Sequence, residues 1–184
     1  MSQNANFILL ADYNTWMNTK LYDAAATLPV TDLAADRGAF FGSIIGTLNH
    51  IVLGDTVWLL RFVNPSRTSQ LTFPISVESV RQLPTPTTLN AILFTDLADL
   101  RQRRVMLDAA ISSWIATLTD EDLAQNMNYS NMLGTAQCKQ LGSLLLHFFN
   151  HQTHHRGQTT TLLTQAGVDI GVTDLVALIP NKIS

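Results

Sequence analysis

Four stretches of the chain repeat apolar residues at alternating three- and four-residue intervals, the spacing that lines one face of an α-helix. Phe7, Leu10, Met17, Leu21, Ala24 and Leu28 predict a first helix from about Asn6 to Thr27, stopped by Pro29. Ile45, Leu48, Val52, Leu59 and Phe62 predict a second from about Ser43 to Phe62, stopped by Asn64 and Pro65. Leu93, Leu97, Leu100, Leu107, Ile111, Trp114 and Leu118 predict a third from about Leu89 to Leu118. The fourth, from about Lys139 to Gln165, carries Leu141, Leu144, Phe148, His151, His155, Leu162 and Ala166 on its stripe, with Gly167 as its natural stop.

The intervening segments read as connections. Thr31 or Asp32 can cap a short turn through Ala35 that Gly38 closes. Between Pro65 and Thr88, Pro74, Pro84 and Pro86 predict a long loop with at most one extended piece, Leu71 to Ile75, of the kind that roofs a pocket. Gln125 to Gln137, around Gly134, reads as a short extended hairpin, and a short helix is expected at Asp174 to Leu178. The fold class that follows is all-α: a four-helix bundle in a single domain over residues 1–184. It has a long crossover loop between helices two and three and a short hairpin before helix four.

Two polar residues occupy core-facing seats. Asn14 needs partners there, either in a helix-packing hydrogen bond or toward a site. Asp55 either orients a ligand imidazole or serves a salt bridge or cap elsewhere.

Composition narrows the function classes. The 184 residues fit one domain, which by size buries about 70% of the surface its unfolded chain exposes. Charged residues are 14% and hydrophobic ones 46%, against about 25% charged in an average soluble domain, leaving little disordered sequence. A net charge of −3 argues against nucleic acid, and the basic run Arg101-Gln102-Arg103-Arg104 reads as a solvated helix face. Cys138 is the single cysteine, so no intramolecular disulfide forms. There is no basic start to an N-terminal leader and no apolar run long enough to span a membrane, so the expected location is cytoplasmic.

The histidines carry the chemistry. Four of the five fall in the fourth helix, where His147 with His151, or His151 with His155, could present two imidazoles to one ion. The apolar stripe chooses His151 and His155 and leaves His147 and His154 on its flanks. Imidazole suits a borderline divalent ion such as zinc or nickel, and His50 on the second helix is the candidate third ligand.

The string Asn150-His151-Gln152-Thr153-His154-His155-Arg156-Gly157-Gln158 stands downstream of Leu48-Asn49-His50, with Ala11 to Asn18 near the start. Together they resemble the DinB family of metal-binding four-helix bundles over nearly the whole chain. The resemblance implies that His50, His151 and His155 match the family's three metal-binding histidines, the same set that the stripe selects. It also implies a homodimer, which Leu9 and Trp16 support by lying off the main stripe of the first helix. The family's naming association with DNA damage implies no DNA contact. Characterised relatives include metal-dependent transferases and isomerases that use low-molecular-weight thiols, such as mycothiol-dependent maleylpyruvate isomerase and bacillithiol transferases.

Three neutral imidazoles leave the charge of a divalent ion uncompensated and one position open, a catalytic type of site. Gln152 stands where a zincin HExxH motif has its glutamate, which argues against metalloprotease activity. His147 and His154 read as solvated or capping, and Cys138 as an inert thiol. The sequence therefore points to a metal-dependent thiol transferase or hydrolase acting on a small-molecule electrophile. The alternative is a noncatalytic metal-binding stress-response or ligand-binding protein.

Overall fold

Most of the long helices begin where a side chain takes over backbone N–H groups that the first turn leaves free. In the computed structural model, which describes residues 2–64 and 77–181, α1 (Gln3–Ala25) starts at Ser2, whose side chain accepts from the Ala5 N–H. The short α2 (Val30–Ala34) follows, and α3 (Ile44–Phe62) starts at Ser43, which accepts from Gly46. After α4 (Glu78–Arg81) comes α5 (Leu97–Ile115), capped by Asp96 through Ala98 and Asp99. A Thr119–Asp122 capping box opens α6 (Asp120–Ala124).

Strands β1 (Asn126–Ser130) and β2 (Ala136–Gln140) pair antiparallel, with Asn128 opposite Cys138. The chain passes directly from β2 into α7 (Leu141–Gln165), whose first N–H donates to the Gln125 carbonyl at 2.8 Å instead of to a capping side chain. Gly167, at φ +84°, ends α7 in the left-handed region where glycine carries no steric cost. The chain is thus mostly helical with one small sheet. Among the described residues no helix is long and apolar enough to cross a membrane.

The long helices pack as a closed set: α1 against α5 and α7, and α3 against the same two. Leu21, Leu48, Phe62, Leu107, Trp114, Leu145 and Phe148 belong to one core cluster among them. The expected hairpin forms, and Asp174 to Leu178 forms a 3-10 turn at Leu175–Leu178. The extended piece expected at Leu71 to Ile75 lies outside the described residues.

Two expectations are corrected. The third helix starts at Leu97, not Leu89, and Leu93 is 44% exposed. The Asn49 side chain on α3 explains the difference: it accepts from the Leu93 and Phe94 N–H groups at 2.9 and 3.0 Å and donates to the Phe94 carbonyl at 2.9 Å. Those bonds hold the segment along α3, and Asp96 can begin a helix only beyond it.

The other correction concerns the basic run. Arg101 is partly exposed and pairs with Asp23, but Arg104 is only 2% exposed. It occupies the seat between Leu100 and Leu107 on the buried stripe, pairs with Asp55, and reaches Asp108 at 2.9 Å. Asp108 also accepts from Asn14 and Asn18 of α1, while Asn14 accepts from the buried Arg156 of α7. Asp55 and Asn14 therefore both take their helix-packing alternatives. Burial disfavours charge on Arg104, but Asp108 and Asp55 outweigh it and hold the guanidinium protonated.

A buried pair that loses one partner leaves an uncompensated charge in the core. Arg104→Met should therefore destabilise the fold by about 3–5 kcal/mol in urea unfolding. Adding Asp55→Asn and Asp108→Asn should recover part of that loss. A cost below about 1 kcal/mol for the single change would show that the cluster is not what holds these helices.

Candidate metal centre

Each of the three expected histidines is held by contacts that the backbone geometry supplies. His50 stands on α3, 5% exposed, with its ring stacked on Phe41 at 3.8 Å between centroids. Its Nδ1 lies 2.7 Å from the Leu89 carbonyl, which only accepts, so Nδ1 carries the proton and Nε2 presents a lone pair. The same segment that Asn49 keeps out of α5 thus sets the tautomer of His50.

His151 and His155 lie one turn apart on α7 and face His50. His155, 9% exposed, places Nδ1 2.8 Å from Gln158 Oε1, again an acceptor, while the other end of that amide lies 3.3 Å from His154 Nε2. His155 Nε2 then also presents a lone pair. Half-buried His151 reaches the group because Gly54 has no side chain: a Cβ there would stand 2.8 Å from its Cε1.

The three Nε2 atoms converge. His50 Nε2 is 3.2 Å from that of His151 and 3.1 Å from that of His155. Tetrahedral zinc with bonds of about 2.0–2.1 Å would space its nitrogens by roughly 3.3 Å. With the Nδ1 protons of His50 and His155 committed outward, their facing lone pairs repel unless a cation lies between them. Burial pushes the proton affinity of all three rings down, for His151 to about 3, helped there by the neighbouring imidazoles. The rings are therefore neutral at pH 7, the form in which imidazole binds a metal. The donor set fits a divalent ion, and among the described residues no carboxylate or thiol joins it as a fourth ligand.

The remaining candidates stand apart. His147 is exposed on α7, as expected, with its ring edge-on to Trp58 at 5.1 Å and 6.1 Å from His151, where it forms part of a cleft wall. His154 is exposed. Cys138 is exposed on β2, outside the first turn of α7. The sequence reading missed Gly54, Phe41 and the Leu89 carbonyl. Only Gly54 left a signal, as a glycine in mid-helix four residues after His50.

His151 and Gly54 border a cleft of about 370 Å³ whose walls include Trp58, Tyr129, His147 and Met132.

Comparison with known proteins agrees with this architecture. The chain is 27% identical over 166 residues to Protein DinB of Bacillus subtilis (strain 168), covering 90% of this chain and 88% of that protein. The crystal structure of a DinB-like protein from Bacillus cereus ATCC 10987 superposes with a TM-score of 0.55 at 20% identity, covering 86% of this chain and 91% of that one. At that identity the superposition speaks for the fold alone. The sequence model of the DinB family matches residues 1–182, and with nearly the full length accounted for, the chain belongs to the DinB family.

Proposed function

We propose that this chain is a metal-dependent enzyme whose His50, His151 and His155 hold one divalent ion, zinc or nickel. In this reading the site activates water or a low-molecular-weight thiol for hydrolysis of, or transfer to, a small electrophile. The protein would be a cytoplasmic homodimer built as a four-helix bundle. The observation that carries the proposal is the convergence of three Nε2 atoms, two with their ring protons bonded outward. When bound, such an ion supplies Lewis-acid chemistry that makes water or a thiol nucleophilic at neutral pH.

The chain's own residues do the positioning. Leu89 and Gln158 fix two rings, Phe41 covers His50 from solvent, and Gly54 admits the ring of His151. Three ligands leave a position for substrate, in contrast to closed structural sites with four. Gln152 is fully buried beside Asp55 and turned away from the triad, so no carboxylate takes the place of a zincin base. A metal-loaded protein that turns over no thiol-plus-electrophile pair and no ester in a broad screen would favour the noncatalytic reading.

Protein purified without chelator should carry about one divalent ion per chain by elemental analysis. His50→Ala and His155→Ala should each lower metal affinity at least about tenfold and abolish the metal-dependent rise in melting temperature. His147→Ala should change affinity only a few-fold. The reverse pattern, with His147 essential and His155 dispensable, would sink the assignment.

Gly54→Ala tests the ring's approach. The added methyl displaces His151, so metal affinity should fall by about tenfold or more, while far-ultraviolet circular dichroism stays unchanged. Unaltered affinity would mean that His151 is not held where Gly54 admits it.

For pH, the sign follows from the depressed proton affinities. The unfolded chain's imidazoles take up protons below about 6.5 while the folded ones resist, so the metal-free protein should lose stability as pH falls from there. His151→Ala should flatten that slope. Metal affinity should likewise weaken below about pH 6, when protons compete for the same lone pairs.

A further inference from the structure

Two faces of α3 look onto different spaces. Gly54 and Val57 line the cleft beside the histidines, whereas Leu53 and Thr56, each one residue earlier and so about 100° around the axis, line another cavity of about 300 Å³. Its remaining walls are Arg103 of α5 and the connecting segment from Pro84 to Phe94. Thr88 lines this cavity and Leu89 the histidine cleft, so the segment stands as a partition between the two. The Asn49 side chain holds that partition at Leu93 and Phe94, which keeps the cavity preformed.

The lining is apolar with charge at one place. Leu53, Pro86, Ala91 and Phe94 supply hydrocarbon, exposed threonines of the segment add hydroxyls, and Arg103 is the one charged residue among the described residues that line the cavity. Such a volume is at the small end of ligand pockets and suits a molecule with one ring and a short chain.

Arg103 differs from the two arginines beside it. Arg101 has Asp23, and Arg104 has Asp55 and Asp108, but among the described residues no carboxylate lies within ion-pair distance of Arg103. Asp99, one turn earlier on α5, borders a neighbouring cleft with Arg103 without pairing to it. The guanidinium lies instead over the Phe94 ring at 5.3 Å, a contact that leaves its in-plane N–H groups available. Burial lowers its proton affinity and no neighbouring carboxylate raises it, so the cation is partly desolvated without a counter-charge.

We propose that this cavity is a binding site, separate from the histidine cluster, for a small organic acid with an apolar or aromatic body. The carboxylate accepts from the Arg103 guanidinium, and the body lies against Phe94 and Leu53. The assignment uses none of the histidines and stands whether or not they hold an ion.

The test is a chemical-shift titration of nitrogen-15-labelled, chelator-treated protein with 3-phenylpropanoate and with 3-phenylpropanamide, which differ only in the acid group. Wild type should bind the carboxylate at least about tenfold more tightly, with the largest amide shifts at Thr88, Ala91, Phe94 and Arg103. Arg103→Met should bind both probes equally, with its melting temperature within a few degrees of wild type; Arg103→Gln is the second uncharged variant if Arg103→Met does not fold. Ala91→Trp, which fills the cavity from the segment side, should lose both probes. Arg101→Met should keep the full preference. Reloading with zinc should leave the preference and the shift pattern unchanged. Equal binding of the two probes by wild type, shifts centred on Gly54 and His151 instead, a preference that survives in an Arg103 variant, unaltered binding by Ala91→Trp, or no binding up to about 10 mM would each overturn the assignment.

Discussion

The buried charge cluster is the constraint on which the rest of the fold depends. Asp55 of α3, Arg104 and Asp108 of α5, and Arg156 of α7 all lie in the interior, joined through Asn14 and Asn18 of α1. Two positive and two negative side chains in one low-dielectric space tolerate very few arrangements, because each must find its partner or remain as a bare charge. Apolar packing accepts small rotations of a helix about its axis. Paired charges accept much less.

That cluster and the histidine site interleave along the chain. Gly54 precedes Asp55, His151 precedes Gln152, and His155 precedes Arg156. Neighbouring residues on a helix point about 100° apart, so turning Asp55 and Arg156 inward turns Gly54 and His155 toward the cleft side. Gln152, fully buried near Asp55, does the same for His151. The rotation that satisfies the charges is the rotation that brings three imidazoles together. A second restraint comes from outside the helices, where Asn49 pins the Leu93–Phe94 backbone and the preceding Leu89 carbonyl meets His50. Neighbouring residues of one helix, Asn49 and His50, thus work on the same connecting segment.

Charge is distributed unevenly as a result. The negative residues are spent in the interior or on the outer surface, and the groove beside the histidines keeps an arginine stacked on aromatic rings.

The sequence by itself determined the four long helices and the hairpin, and put His151 and His155 on one helical face, because these depend on periodicity and spacing along single elements; that His50 faces them is decided where α3 meets α7. It also placed Asn14 and Asp55 in core seats, though not their partners. Tertiary structure alone decided that Arg104 is buried. A stripe of Leu100, Leu107 and Ile111 leaves the seat at 104 open to reading as surface, and the burial of an arginine requires carboxylates from another helix and from its own next turn. It likewise decided where α5 begins, since the helical pattern from Leu89 loses to hydrogen bonds offered by Asn49, a residue distant in sequence. Gly54 shows the same division: its identity is legible, but the need for glycine exists only once α7 brings the His151 ring against it. Periodicity is a property of one helix, whereas a partner for a charge, a proton or a close contact exists only when two helices meet.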